Sequence, residues 1–190
     1  LFDCAVKDFG LTLPIGATVV ELGCNETDCS KWLRQADPTA TLIGCDVNPS
    51  DGFVGEFRQQ AAETLEIEAG SLDAVIALGS IEHFGLGFYG DPLNDTADME
   101  VTAAVERWLK PGGWFYYDVP WTPETGYITD NRHFRVYDDA QLQARLTGGL
   151  QPLGRFYAHG ETAKAQWARP GSPMSPFWYV VRWLRKAECQ

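Results

Sequence analysis

The segment Thr18-Val19-Val20-Glu21-Leu22-Gly23-Cys24-Asn25-Glu26-Thr27 changes character at its midpoint, and that change limits the folds open to the chain. Its first half is apolar and β-branched, as in a strand buried on both faces within a parallel sheet. Its second half is a glycine followed by short polar residues, as in a tight turn leading into a helix. Small side chains there let backbone N–H groups approach a ligand. The unit predicts a ligand site at the carboxyl edge of an α/β sheet.

The neighbouring segments extend this pattern. A short helix and a Pro14-Ile15-Gly16 turn precede the first strand. Asp28 or Ser30 is placed to cap a helix with Trp32, Leu33 and Ala36 inward, and Pro38 stops it. A second strand over residues 41–45 ends at Asp46, about twenty residues beyond the glycine turn, where a carboxylate accepts hydrogen bonds from both hydroxyls of a ribose. A plain loop-capping role before Asn48-Pro49 is the alternative for the same residue. Residues 48–55 are too rich in Gly, Pro, Asp and Ser for a full helix and read as a loop or single turn. Residues 56–60 read as a third strand and 71–78 as a fourth, the latter apolar enough for the middle of a sheet.

Val101, Ala104, Val105, Trp108 and Leu109 form one apolar helical stripe, with residues 94–96 available as a cap. Lys110-Pro111-Gly112-Gly113 ends that helix, and residues 114–119 give a fifth strand. Asp138 or Asp139 caps a last helix through Leu142 and Leu146, closed by Gly148-Gly149. Residues 155–158 and 177–184 form a final antiparallel pair, joined through residues 168–176.

Several of these stretches resemble class I S-adenosylmethionine-dependent methyltransferases. Glu21-Leu22-Gly23 is similar to their first motif, and Asn25 takes a place usually held by glycine; Asn tolerates the left-handed conformation and is expected to hold that turn. Ser71-Leu72-Asp73 resembles the opening of their fourth strand, the pair Glu82-His83 follows that strand, and Leu-Lys-Pro-Gly-Gly precedes the fifth. The Gly-Leu-Gly at 85–87, Tyr-Gly-Asp-Pro at 89–92 and the later His133-Phe134-Arg135-Val136-Tyr137 are similar to a methyltransferase-like family of unknown function, which also has a shortened second helix. The resemblance runs from about Thr18 to Tyr137 and implies a Rossmann-like, mostly parallel seven-stranded sheet with helices on both faces and an antiparallel last strand.

The same resemblance implies S-adenosyl-L-methionine as cofactor, held by Glu21, Gly23, Cys24, Asn25, Asp46, Val47, Ala62, Glu63 and Ser80. Ala61 stands where an Asp often bonds the adenine amino group, so Gln60, Glu63 or the backbone near Ala62 takes that task. Methyl transfer is an in-line displacement, so position matters more than acid–base strength. An acceptor hydroxyl must also lose a proton, and His83 is the candidate base, with Glu82 to orient it or to bind the cofactor's ammonium. A role of His83 in merely holding its loop is the alternative. Residues 121–136 read as a lid, with Tyr89, Asp91, Trp121, Tyr127 and His133 as acceptor contacts.

Length and charge narrow the partners. The 190 residues fit one domain spanning 1–190. A net charge of −11 argues against a nucleic acid, although Arg182, Arg185 and Lys186 cluster near the end. No stretch is apolar enough to cross a membrane and no signal peptide is legible. The chain opens at Leu1 without methionine, so further residues are expected upstream. The five cysteines lack metal-ligand spacing and read as structural thiols in a reduced, cytoplasmic setting, with no metal expected. The leading expectation is methyl transfer to a small-molecule or glycan-like acceptor at oxygen or nitrogen. A non-catalytic cofactor-binding protein is the alternative. A dinucleotide-dependent oxidoreductase is disfavoured by the lack of three glycines in the turn and of a second domain. The sequence carries no signal for an oligomeric state.

Overall fold

The computed structural model describes residues 13–25, 27–159 and 178–188. Its centre is a seven-stranded sheet of β1 (Thr18–Leu22), β2 (Thr41–Asp46), β3 (Glu56–Gln59), β4 (Leu72–Leu78), β5 (Leu109–Trp121), β8 (Gln151–His159) and β9 (Trp178–Arg185), in the order β3-β2-β1-β4-β5-β9-β8. Strands β1 to β5 run parallel, and β9 lies antiparallel between β5 and β8. This is the Rossmann-like α/β architecture expected, antiparallel strand included. Strand order reverses between β1 and β4, the place where such sheets open a crevice at their carboxyl edge.

Alternation along the central strands feeds two separate cores. Val20, Leu22, Val75 and Ala77 face one side, with Val101, Val105 and Trp108 of helix α2 (Ala97–Trp108) and Leu142 and Leu146 of helix α3 (Asp139–Leu146). Val19, Ala74 and Ile76 face the other, with Cys29 and Leu33 of helix α1 (Cys29–Ala36). Strands buried on both faces explain why they read as continuous apolar runs. Helix α3 starts at Asp138 in a full capping box: the Asp138 carboxylate accepts from Gln141 N at 2.8 Å and the Gln141 side chain accepts from Asp138 N at 3.3 Å. Among the described residues no helix is long and apolar enough to cross a membrane.

The link between β2 and β3 contains no helix, as its composition indicated. Phe53 takes over the missing helix's packing: its ring lies over Gly44, where a Cβ would come within 2.7 Å of it. Several readings need correction. Ala36 of α1 is exposed rather than inward, and Asp28 takes the N-cap position without a side-chain hydrogen bond. Strand β5 begins at Leu109 rather than 114, because Lys110 to Gly113 form a bulge: the register passes from Leu72↔Leu109 to Ala74↔Trp114, Gly112 has φ +79°, and Lys110 Nζ lies 2.8 Å from Asp73 Oδ2. Strand β8 begins at Gln151 rather than 155, its Gly154 lying under the Trp183 ring. Asn25 is not left-handed: among the described residues only Arg132 combines a side chain with positive φ. The N-terminal helix reading and the 168–176 connection fall outside the described residues.

Candidate functional site

The site is built from the carboxyl ends of β1, β2 and β4. After β1, Gly23 turns with φ +66° and donates its N–H to Cys45 O at 2.7 Å. A Cβ here would press into the Ser80 Cβ. Ser80 is itself fixed, its hydroxyl donating to Leu22 O at 2.8 Å. The glycine is therefore required twice, for its backbone angle and for the close approach of the β4 exit. The following loop is held by carboxylates rather than by further glycines. Asp46 Oδ2 accepts from Asn25 N at 3.0 Å and Asp46 Oδ1 accepts from Asn48 N at 2.8 Å. Glu21, 2% exposed, accepts the Thr27 hydroxyl; burial pushes its carboxyl up from 4.5 to about 7, and the Thr27 bond only partly opposes this.

Above this floor lies a cleft of about 560 Å³. One wall comes from Cys45, Asp46, Val47, Asn48 and Pro49 with Gln60, Ala61, Ala62 and Glu63. The other comes from Gly79, Ser80, His83, Phe84, Tyr89 and Asp91. Burial raises the Glu63 carboxyl, and the charge of Asp91 adds to that rise. No Lys or Arg is among the described lining residues.

His83 sits on a short 3-10 turn, Ile81–His83, directly after β4. Its Nδ1 lies 2.5 Å from the carbonyl oxygen of His133. A carbonyl only accepts, so Nδ1 carries the proton and Nε2 the lone pair. Burial lowers the His83 pKa below its ordinary 6.5, partly offset by that carbonyl, so the ring is neutral at pH 7. His133 arrives on the hairpin of β6 (Tyr127–Ile128) and β7 (Arg135–Val136). Its Nε2 is 3.2 Å from the Tyr89 hydroxyl, and its ring stacks on Phe88 at 4.0 Å. The buried Arg135 donates to Phe84 O at 2.6 Å, tying the hairpin to the residue after His83.

Eleven of the residues singled out by sequence share this cleft: Gly23, Asn25, Asp46, Val47, Gln60, Ala62, Glu63, Ser80, His83, Tyr89 and Asp91. The other six stand elsewhere. Glu21 faces the α1 side with Val19, and the Cys24 thiol is buried against Gly44. Glu82 is 1% exposed under the floor, its Oε1 3.9 Å from His83 Nε2. Burial, with Asp118 second, raises its carboxyl far above the usual range. Trp121 is buried, its indole N–H spent on Asp139 Oδ1 at 3.1 Å. Tyr127 is exposed on β6, and His133 adjoins the cleft through His83 without lining it. The buried Cys24 and Cys45 thiols are each pushed up to about 12 by burial, which leaves neither as a thiolate at neutral pH.

Sequence reasoning missed Asn48, Pro49, Gly79 and Phe84 as cleft walls and Arg135 as the brace. Gly79 carried a signal, being a glycine at the exit of an apolar strand; its N–H donates to the buried Asp118 Oδ1 at 2.8 Å. Arg135 carried none, because its partners lie about forty and fifty residues upstream.

Comparison with known proteins sets this geometry among relatives. A family model described as "Caenorhabditis protein of unknown function, DUF268" matches residues 56–166. No curated protein sequence matches the chain. Among solved structures, a 1,6-didemethyltoxoflavin-N1-methyltransferase from Burkholderia thailandensis, holding 1,6-didemethyltoxoflavin and S-adenosylhomocysteine, is similar with a TM-score of 0.68 and 18% identity, over 98% of this chain and 76% of its own. The [4+2]-cyclase SpnF has a TM-score of 0.70 and 17% identity, over 98% and 80%. A geranyl diphosphate C-methyltransferase from Streptomyces coelicolor, in complex with Mg²⁺, geranyl diphosphate and S-adenosyl-L-homocysteine, has 0.66 and 12%, over 98% and 81%. At such identities the likeness establishes the shared fold, and a cyclase among the neighbours illustrates that fold alone does not fix reaction.

Proposed function

The chain belongs to the family described as Caenorhabditis protein of unknown function, DUF268, and from that premise we propose that it is an S-adenosylmethionine-dependent methyltransferase acting on a small-molecule acceptor. One observation carries the reading: Gly23, Asp46 and His83, from the ends of three strands, share one cleft at the sheet's carboxyl edge. The residues fit such a cofactor. Gly23 lets Ser80 pack against the turn at the cleft's floor, and each Asp46 oxygen accepts one N–H and so retains a lone pair for a ribose hydroxyl.

Gly23, Asn25, Asp46, Val47, Ala62, Glu63 and Ser80 would hold the cofactor, which supplies an electrophilic methyl group on a sulfonium when bound. The protein's part is to align the acceptor and to take its proton. Neutral His83, with its Nδ1–H fixed on the His133 carbonyl, presents Nε2 as the proton acceptor for a hydroxyl or amine. Glu82 acts beneath it as a positioning residue. On the acceptor side the reading narrows to Tyr89, Asp91 and His133, because Trp121 is committed to the core and Tyr127 stands outside the cleft.

Calorimetry with S-adenosylmethionine, S-adenosylhomocysteine and NAD tests this. Binding of the first two alone is expected, weakened at least about tenfold, or about 1.4 kcal/mol, by Asp46→Ala. Tight binding of NAD, or indifference of the two sulfur compounds to Asp46→Ala, would overturn it.

A further inference from the structure

The ionisable groups on the cleft wall are not evenly satisfied. Asp46 accepts two backbone N–H groups. Asp91 also lines the cleft, yet both of its carboxylate oxygens are shut off from water and accept no hydrogen bond. It stands in a rigid turn, between Gly90 at φ +89° and Pro92. The hairpin's Arg135 is engaged elsewhere: it donates to Phe84 O at 2.6 Å and Asp95 O at 3.5 Å and lies 3.9 Å from Asp98 Oδ2. Nor does His83, which spends its Nδ1–H on the His133 carbonyl. A buried carboxylate with no donor is costly, and native proteins keep such groups where a ligand completes them.

We propose that Asp91 is the acceptor-recognition residue of this cleft, that its side chain turns into the cleft as an acceptor enters and receives the O–H or N–H donors of a neutral or cationic small molecule, and that the cleft rejects phosphorylated and carboxylated acceptors. The rest of the described lining points the same way. Asp46, Glu63 and Asp91 bring three carboxyl groups to one cleft without a lysine or arginine, so an anionic acceptor meets like charge and no counterion. A polyol, amine or amino sugar supplies the donors that Asp91 lacks. The proposal rests on the cleft being the reaction site and assigns the chemical class of what enters beside the cofactor.

The test uses the whole chain and two variants, Asp91→Asn and Asp91→Ala. If the carboxylate is held for a ligand, its removal relieves the free protein, so both variants melt at least as high as the parent; a fall of about 4 °C or more in both would make Asp91 structural and overturn the proposal. S-adenosylhomocysteine affinity should stay within about twofold of the parent, and a loss of about tenfold would assign Asp91 to the cofactor instead. Saturation-transfer NMR on the protein with S-adenosylhomocysteine present then compares glucosamine, spermidine and methyl glucoside with glucosamine 6-phosphate and glucuronate. Binding of the first group alone, weakened about tenfold in Asp91→Asn, is expected. Binding of the anions, or of no probe in either group, overturns the proposal. Should the parent fail to bind S-adenosylhomocysteine, the methyltransferase reading fails, and the same probes without it judge Asp91 separately.

Discussion

Replacing Gly23 by alanine tests the architecture of the site's floor. The glycine has φ +66°, and holding an L-residue left-handed costs roughly 1 kcal/mol. The added Cβ also meets the Ser80 Cβ, with Ser80 Oγ 3.0 Å away, and forcing packed neighbours apart costs about 2 kcal/mol more. Gly23→Ala is therefore expected to lose about 3 kcal/mol in urea denaturation. Ser80→Gly removes the obstruction and forfeits the buried bond to Leu22 O, a loss of about 1 kcal/mol. In the double mutant the steric part disappears while the conformational part remains. The cycle should thus show about 2 kcal/mol of favourable coupling. S-adenosylhomocysteine affinity, measured alongside, should fall in Gly23→Ala and partly return in the double mutant. Additivity within about 0.5 kcal/mol would refute the steric account and leave only the backbone angle.

Two predictions concern protonation. The folded-state pKa of Glu21 is raised from 4.5 to about 7, so its contribution to stability is fully present below pH 4.5 and is lost as pH rises to 7. Glu21→Gln removes that loss while keeping an acceptor for Thr27, so its stability relative to the parent should rise by about 3 kcal/mol between pH 4.5 and 8; a gap that stays flat or shrinks would contradict the buried acid. The second is an NMR titration of the His83 ring, expected to give a midpoint below 6.5 because burial opposes its charged form, with Nδ1 protonated in the neutral state. A midpoint above 6.5 would mean that a carboxylate rather than a carbonyl governs the ring.

Much of the fold was legible because a parallel sheet with both faces covered leaves long apolar runs, as in β1 and β4, and because Asp46 falls at a spacing fixed by strand and helix lengths. Local rules failed where a residue's role depends on which face it occupies. Glu21 and Glu82 lie next to cleft residues in sequence, yet alternation along β1 and the turn after β4 send both carboxyls beneath the floor. Asn25 read as a left-handed turn residue because the loop lacks glycines, whereas the loop is held by the distant Asp46 carboxylate. Lys110-Pro111-Gly112-Gly113 read as a stop and is a bulge within β5. The last two misses trace to contacts between segments distant in sequence, to which composition is blind.

The hairpin supplies the last step, because the candidate base is set by groups that its own segment lacks. His83 comes from the exit of β4, but the acceptor of its Nδ1–H is a carbonyl fifty residues later, delivered by the left-handed Arg132 and by Thr129, whose hydroxyl accepts from His133 N at 3.0 Å and Phe134 N at 3.2 Å. Phe134 stands edge-on to the His83 ring at 6.1 Å, and Arg135 closes the loop onto Phe84 O. Tautomer, ring orientation and the aromatic rim of the cleft are thus fixed by one short element. Displacing that element removes the partner of Nδ1–H, and with it the reason for Nε2 rather than Nδ1 to hold the lone pair. The Glu-His pair and the later His-Phe-Arg are then one device, and neither half sets the tautomer of the His83 ring without the other.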